Sequence, residues 1–314
     1  MIKDRKTKID SAENLLKQHR YDDAIVLLKE LSEECPGEES IILMLSWACY
    51  DSGDPEQAVK YLNMLLEREL QRKVFTGFAF DELVRIYKQT KDFLKLVEIC
   101  ERAAAAQPED VCLLTELGNA YLQSGRAEKA CEVYKKLIDM ENDNPAFHCY
   151  RGEALFAAGL YQESEKAYLK AGEIDSEQPD RYYFKIAVLF QQAQNHEDAE
   201  RLLKKCVTIN SSNPLYYCSL GDTLVSKGKI QEAFDVYEKA VQCDHSRASL
   251  YYNRLGNSLM KAGDFLKASD AFKLAIKYEP AKVYYLSLAE AYRRMGLAEQ
   301  ADVIIREVHK IVCT

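Results

Sequence analysis

The sequence lacks a long hydrophobic run. Its longest apolar stretch, from Ile41 to Tyr50, is about half the roughly 20 residues that a membrane-spanning helix needs. The first ten residues are rich in charge and contain no apolar core of the kind found in a secretory signal. These absences argue against a membrane protein, and they predict a chain that stays in the cytoplasm.

The sequence also lacks the short motifs that carry catalysis or cofactor binding. It contains no GxGxxG, no GxxxxGKS or GxxxxGKT, no HExxH and no GxSxG segment. Its ten cysteines include no CxxC pair, and no histidine stands at zinc-finger spacing. We interpret the cysteines as reduced thiols that fill buried sites. The sequence therefore predicts a protein that is not an enzyme, with no catalytic residue, no metal and no cofactor.

Positive charge is in deficit. The chain has 42 lysines and arginines against 50 aspartates and glutamates, a formal net charge of −8. This charge opposes attraction to phosphate groups, and no basic stripe compensates for it. Nucleic acids and anionic membranes are therefore not expected as partners.

An internal repeat organises the chain. Three segments, which begin at Leu117, Leu220 and Leu255, align without a gap. Each has a Leu-Gly pair. Counted from that glycine, a second glycine follows after seven residues, an alanine after twelve and an aromatic residue after sixteen. Extending this pattern in both directions gives nine repeats. They start near Arg5, Glu39, Gly77, Val111, Pro145, Asp180, Pro214, Ser249 and Lys282.

The 33 to 38 residues between these starts resemble the spacing of the tetratricopeptide repeat (TPR), a helix-turn-helix unit of 34 residues. The resemblance covers roughly residues 5–314. It implies an all-α fold, a right-handed superhelical solenoid of about nine repeats that forms a single domain over residues 1–314. Within it, small residues let two helices approach closely. The family implies a binding scaffold and specifies no partner.

The longest step in the pattern, 38 residues, separates the second and third repeats. The four additional residues are about one helical turn. One interpretation is a lengthened helix or loop. The other is a break in the superhelical curvature near residues 67–77, which would separate the first two repeats from the other seven.

The last predicted helix raises a second question. Ile304 and Val308 can pack inward, whereas Ile311 and Val312 are predicted to form an exposed apolar surface. Because a solenoid needs a polar outer face on its terminal unit, we predict that this end docks onto a second copy or was continued by another segment.

In the tetratricopeptide family, the first helix of each repeat lines a concave groove, mainly through its second, fifth, ninth, twelfth and thirteenth positions. The resemblance implies a partner-binding set of Glu13, Leu43, Trp47, Tyr50, Arg85, Asn119, Glu153, Phe156, Asp222, Asn257 and Glu290. Four of the nine ninth-position residues are acidic, which favours an amphipathic or basic peptide. Trp47 and Tyr50 are candidate anchors, unless the displaced third repeat buries Trp47.

The leading prediction is a scaffold or adaptor that binds a peptide or protein segment in this groove. A self-assembling structural protein and a regulatory subunit of a separate enzyme remain alternatives. RNA binding is disfavoured by the net charge.

Overall fold

The structure is a computed structural model that describes the backbone of residues 2–72 and 77–312, and the side chains of residues 5–72 and 77–307. Eighteen α-helices span the described residues, and they form nine helical hairpins. The first helices of the hairpins are α1 (Ile2–Lys17), α3 (Glu39–Asp51), α5 (Phe78–Thr90), α7 (Val111–Gln123), α9 (Pro145–Ala157), α11 (Asp180–Gln192), α13 (Pro214–Ser226), α15 (Ala248–Ala262) and α17 (Lys282–Arg294). The second helices are α2 (Tyr21–Glu34), α4 (Pro55–Leu70), α6 (Phe93–Ala106), α8 (Ala127–Met140), α10 (Tyr161–Ile174), α12 (His196–Ile209), α14 (Ile230–Cys243), α16 (Phe265–Tyr278) and α18 (Ala298–Val312).

The chain divides into two compact units. Unit 1 comprises residues 1–142 and contains repeats one to four; unit 2 comprises residues 143–314 and contains repeats five to nine. Within each unit, every helix packs against the next one in the chain. The buried core of each unit runs between these helices as aliphatic, alanine and aromatic side chains. Each unit is therefore a stack of hairpins in which one repeat buries the apolar surface of its neighbour.

Local signals begin and end the helices. The side chains of Asp110 and Asp264 accept a hydrogen bond at 3.0 Å from the backbone N–H three residues later, which caps α7 and α16. Six of the nine intra-repeat turns contain a glycine with φ between 73° and 92°. The other three use His19, Lys91 and Gln194 at φ 57° to 58°, a conformation that costs free energy for a residue with a Cβ atom.

A close contact explains why only some repeats have glycine at their eighth position. A Cβ atom on Gly118, Gly152, Gly221 or Gly256 would lie 2.4–2.8 Å from a ring carbon of the residue sixteen positions later, which is aromatic in all four repeats. The remaining repeats have alanine, serine or valine at the eighth position, and their residue sixteen later is not aromatic. These non-aromatic partners are Leu28, Leu62, Cys100, Leu203 and Ile305.

The valine at position 84, the bulkiest of these replacements, is buried and is paired in this register with the small Cys100. The larger side chain at position 84 is therefore offset by the smaller one at position 100, which keeps the hairpin closely packed.

The long step between repeats two and three is partly helical. Helix α4 has 16 residues, two more than α2 or α6. At its end the buried Glu69 accepts a hydrogen bond from the backbone N–H of Ala79 at 3.1 Å, so a polar contact connects the two repeats. Residues 73–76 lie outside the described residues, and the curvature break near residues 67–77 stays a prediction.

The C-terminal helix packs on the core of unit 2 through Ile304. The side chains of Ile311 and Val312 lie outside the described residues. The predicted oligomer surface therefore stays a prediction.

Candidate functional site

The first helices of unit 2 present one side to solvent. Helix α13 packs against α15, and α15 against α17, whereas the corresponding second helices make little contact with each other. On α17 the exposed residues Val283, Leu286, Glu290 and Arg294 recur at the spacing of a single helical face. We call the solvent-facing side of the first helices in each unit its inner face.

Asp222, predicted as a partner-binding groove residue, lies in a dense network. Its Oδ1 atom accepts hydrogen bonds from the hydroxyls of Tyr237, at 2.7 Å, and Ser258. Its Oδ2 atom accepts a hydrogen bond from Nε of Arg254 at 2.8 Å, and Nη2 of the same guanidinium forms an ion pair with it at 2.7 Å. Because a guanidinium and two hydroxyls surround this carboxylate, Asp222 stabilises the contact between repeats seven and eight.

Two more predicted groove residues are engaged within their own repeats. The hydroxyl of Tyr134 donates to the side-chain oxygen of Asn119 at 2.9 Å. Tyr168 is the hydrogen-bond partner of Glu153. Glu153 is exposed, yet partial desolvation of its carboxylate raises its pKa, although Lys185 and Tyr168 act in the opposite direction. In all three repeats where a tyrosine packs against the eighth-position glycine, the side chain at the ninth position accepts a hydrogen bond from the tyrosine hydroxyl.

In unit 1 the structure brings Tyr50 and Arg85 together. The Arg85 guanidinium lies over the Tyr50 ring at 4.8 Å from its centroid and donates to Glu82 at 2.7 and 3.0 Å. The Tyr50 hydroxyl donates to Gln89 at 2.5 Å. The Trp47 side chain is 42% exposed, so the third repeat does not bury it. Trp47 is available to a partner on the inner face of unit 1.

The other predicted residues have mixed environments. Glu13, Asn257 and Glu290 are exposed, and Leu43 is half-buried. Phe156 is half-buried, with its ring centroid 5.4 Å from that of Phe190 in an edge-to-face contact, so most of its surface serves packing.

The nine cysteines in the described region form no disulfide. Burial raises the pKa of Cys100, Cys206 and Cys218 to about 12, which leaves them as unreactive thiols near neutral pH. Across the residues whose positions are described, no cluster of three or more His, Cys, Asp or Glu side chains has the arrangement of a metal site. No helix in the same part of the chain has the length and apolar character needed to cross a membrane.

Comparison with known proteins agrees with this architecture. A family model described as "TPR repeat" matches residues 118–159, and two described as "Tetratricopeptide repeat" match residues 15–74 and residues 180–213, 215–244 and 250–282. The chain belongs to the tetratricopeptide-repeat family. Its repeats occur in both units, and the matched segments cover all or part of the hairpins described above.

Relatives of this TPR chain are longer proteins. A TPR repeat-containing protein of Methanocaldococcus jannaschii is 25% identical over 244 residues, which cover 71% of this chain and 41% of the relative. The TPR repeat-containing thioredoxin TTL4 of Arabidopsis thaliana is 30% identical over 105 residues, 33% of this chain and 15% of the relative. The human protein O-mannosyl-transferase TMTC1 is 23% identical over 142 residues, 43% of this chain and 16% of the relative. The chain thus spans less than half the length of each of these relatives.

Among solved structures, a tetratricopeptide repeat protein from Parabacteroides merdae is similar with a TM-score of 0.50 and 18% identity, covering 81% of this chain and 98% of that one. At this identity the likeness supports the TPR fold alone.

The inner face of the TPR stack in unit 2 also contains residues that the sequence prediction missed. At the second position of repeats seven, eight and nine stand Leu215, Leu250 and Val283, which are 44%, 52% and 54% exposed. At the opposite end of the same helices, Lys261 and Arg293 are exposed. The repeat register contained the signal, since the second, twelfth and thirteenth positions are groove positions of the family.

A cavity of about 690 Å³ opens beside the inner face at repeats six to eight. Polar and charged side chains from these repeats line it, among them Gln191, Lys261, Asp222 and Asp264. The Nδ1 atom of His196 is buried and has no hydrogen-bond partner among the described residues. The cavity lining therefore contains both a cation and carboxylates.

Proposed function

We propose that the chain is a non-catalytic scaffold that holds a segment of another protein on the inner face of its first helices. The observation that carries this proposal is the exposed aliphatic row formed by Leu215, Leu250 and Val283. Three successive repeats place a large apolar side chain at the same position of the same face. A repeated apolar surface of this kind is typical of an interaction site.

The chemistry of the inner face favours an amphipathic partner segment. Apolar residues on the segment would cover the aliphatic row, and polar residues would meet the charged and amide groups farther along the same helices. The prediction of an amphipathic or basic partner depended on four carboxylates, of which Asp222 is paired with Arg254. The charge of the partner is therefore inferred only from charged side chains that have no ion-pair partner among the described residues.

A selection experiment tests the proposal. A random library of 16-residue peptides is selected on the protein, and the affinities of the selected peptides are measured for wild type, Leu250→Glu and the matched control Leu266→Glu. Leu266 is 61% exposed on α16, a second helix, so both substitutions place a carboxylate at an exposed leucine.

We expect Leu250→Glu to weaken binding by tenfold or more and Leu266→Glu to leave it unchanged, because only the first lies on the inner face. If the selected peptides lose affinity for Leu266→Glu and keep it for Leu250→Glu, the assignment of the inner face is wrong. Light scattering of the same samples measures any self-association.

A further inference from the structure

We infer that repeats seven to nine bind an amphipathic helix with one aliphatic edge and one acidic edge. This inference rests on the proposed function and specifies the partner's chemistry. The count of acidic groove residues predicted an amphipathic or basic partner. The acidic edge inferred here follows instead from cationic side chains that have no ion-pair partner among the described residues.

The inner face of these repeats has two different edges. The aliphatic edge consists of Leu215, Leu250 and Val283 at the second position of α13, α15 and α17. The basic edge lies near the thirteenth position of α15 and α17, whereas α13 has Ser226 at that position. Eleven residues separate the two positions, which at 1.5 Å per residue is about 16 Å along each helix. A partner helix with a diameter of about 10–12 Å fits across this width and contacts both edges through its side chains.

The basic edge consists of Lys261, Arg293 and Arg294. Within the described part of the chain, none of the three has a carboxylate partner. The Arg294 guanidinium lies over the Phe265 ring at 5.2 Å from its centroid. This stacking positions the cation and leaves its N–H groups free to donate to a carboxylate.

Neighbouring acidic groups do not neutralise this edge. Asp222 is paired with Arg254, and Asp264 caps α16 by accepting from the backbone N–H of Lys267. The exposed Glu290 remains, one helical turn before Arg293. Asp264 keeps its negative charge as a helix cap, so three cations face two carboxylates, Asp264 and Glu290. The edge keeps a net positive charge, which attracts acidic side chains and repels basic ones.

The test uses two synthetic 18-residue helical peptides with the same leucine face. One has glutamate along one flank of that face, and the other has lysine at the same positions. Binding is measured by isothermal titration calorimetry to wild type, to Lys261→Glu/Arg293→Glu and to the control Lys135→Glu/Lys239→Glu. The control changes the net charge equally, at exposed lysines on the second helices α8 and α14.

We expect wild type and the control to bind the acidic peptide at least tenfold more tightly than the basic one, with a preference that shrinks as salt screens the charges. In Lys261→Glu/Arg293→Glu the preference should reverse. Equal affinity for the two peptides, absence of binding by both, or an unchanged preference in this variant overturns the inference.

These outcomes are distinct from a failure of the proposed function. If library-selected peptides depend on Leu250 but are not acidic, the inner face binds segments and only the acidic edge is refuted. If no selected peptide depends on Leu250, the proposed function itself fails.

Discussion

Replacing Gly221 by alanine should destabilise unit 2, although glycine-to-alanine changes within helices usually stabilise by about 1 kcal/mol. The new Cβ atom would lie 2.4 Å from Cε2 and 2.5 Å from Cδ2 of Tyr237. The Tyr237 ring is fully buried, and its hydroxyl donates to Asp222 at 2.7 Å. The ring therefore cannot move without losing both packing and a hydrogen bond.

The magnitude follows from three contributions. Overpacking a core costs about 1–3 kcal/mol. Loss of a hydrogen bond to a charged group costs about 1.5–3 kcal/mol. The helix propensity of alanine returns about 1 kcal/mol. We expect a net loss of about 1.5–5 kcal/mol in the free energy of unfolding.

The assay is urea unfolding followed by far-UV circular dichroism, for Gly221→Ala, Tyr237→Leu and the double variant. Once leucine replaces the tyrosine ring, alanine at position 221 should cost little or stabilise, because repeat six already contains the pair Ala187 and Leu203. A coupling of about 2 kcal/mol or more between the two substitutions is expected. A neutral or stabilising effect of Gly221→Ala alone would refute the steric argument.

Three further substitutions test other parts of the structure. Gln194 has φ 58°, so Gln194→Gly should raise the free energy of unfolding by about 1 kcal/mol, and a loss of stability in urea unfolding would contradict this. Hydrogen bonds from Lys204 and Lys227 lower the pKa of the buried Glu200 to about 2, below its unfolded value of about 4.3. The contribution of Glu200 to the free energy of unfolding is therefore present above that value and lost as the pH falls toward 2. When unfolding is followed during acid titration, Glu200→Gln should lose less stability over this range than wild type. Identical stability profiles would exclude a stabilising role for Glu200. The Tyr216 hydroxyl donates a hydrogen bond to buried Asp180 at 2.8 Å, so Tyr216→Phe should lower the free energy of unfolding by about 1–3 kcal/mol. An unchanged melting temperature in thermal unfolding would show that this bond does not stabilise the contact between repeats six and seven.

The helices follow closely from the repeat pattern. In repeats two to nine, the first helix begins at the predicted repeat start or within one residue of it. The first repeat differs, since α1 begins at Ile2, three residues before the predicted start at Arg5. Small residues, prolines and capping side chains act within a few residues of their own position, so these boundaries can be read locally.

The electrostatics of the candidate site could not be predicted in the same way. The sequence argument counted Asp222 as a groove carboxylate because it used only the sign of each side-chain charge. In the structure Asp222 is paired with the guanidinium of Arg254, 32 residues later in the next repeat. Ion pairing across a repeat interface depends on side-chain direction as well as register. The unpaired charges of the inner face therefore emerge only from the packed structure.

The most direct test of the account is site-specific photocrosslinking to a library-selected peptide. A benzophenone amino acid replaces Asn257, exposed on the inner face of α15, or Leu266, exposed on the second helix α16. We predict that the peptide crosslinks at position 257 and that crosslinking at 266 stays at background. Efficient crosslinking at 266 with none at 257 would contradict the central claim that the first helices hold the partner.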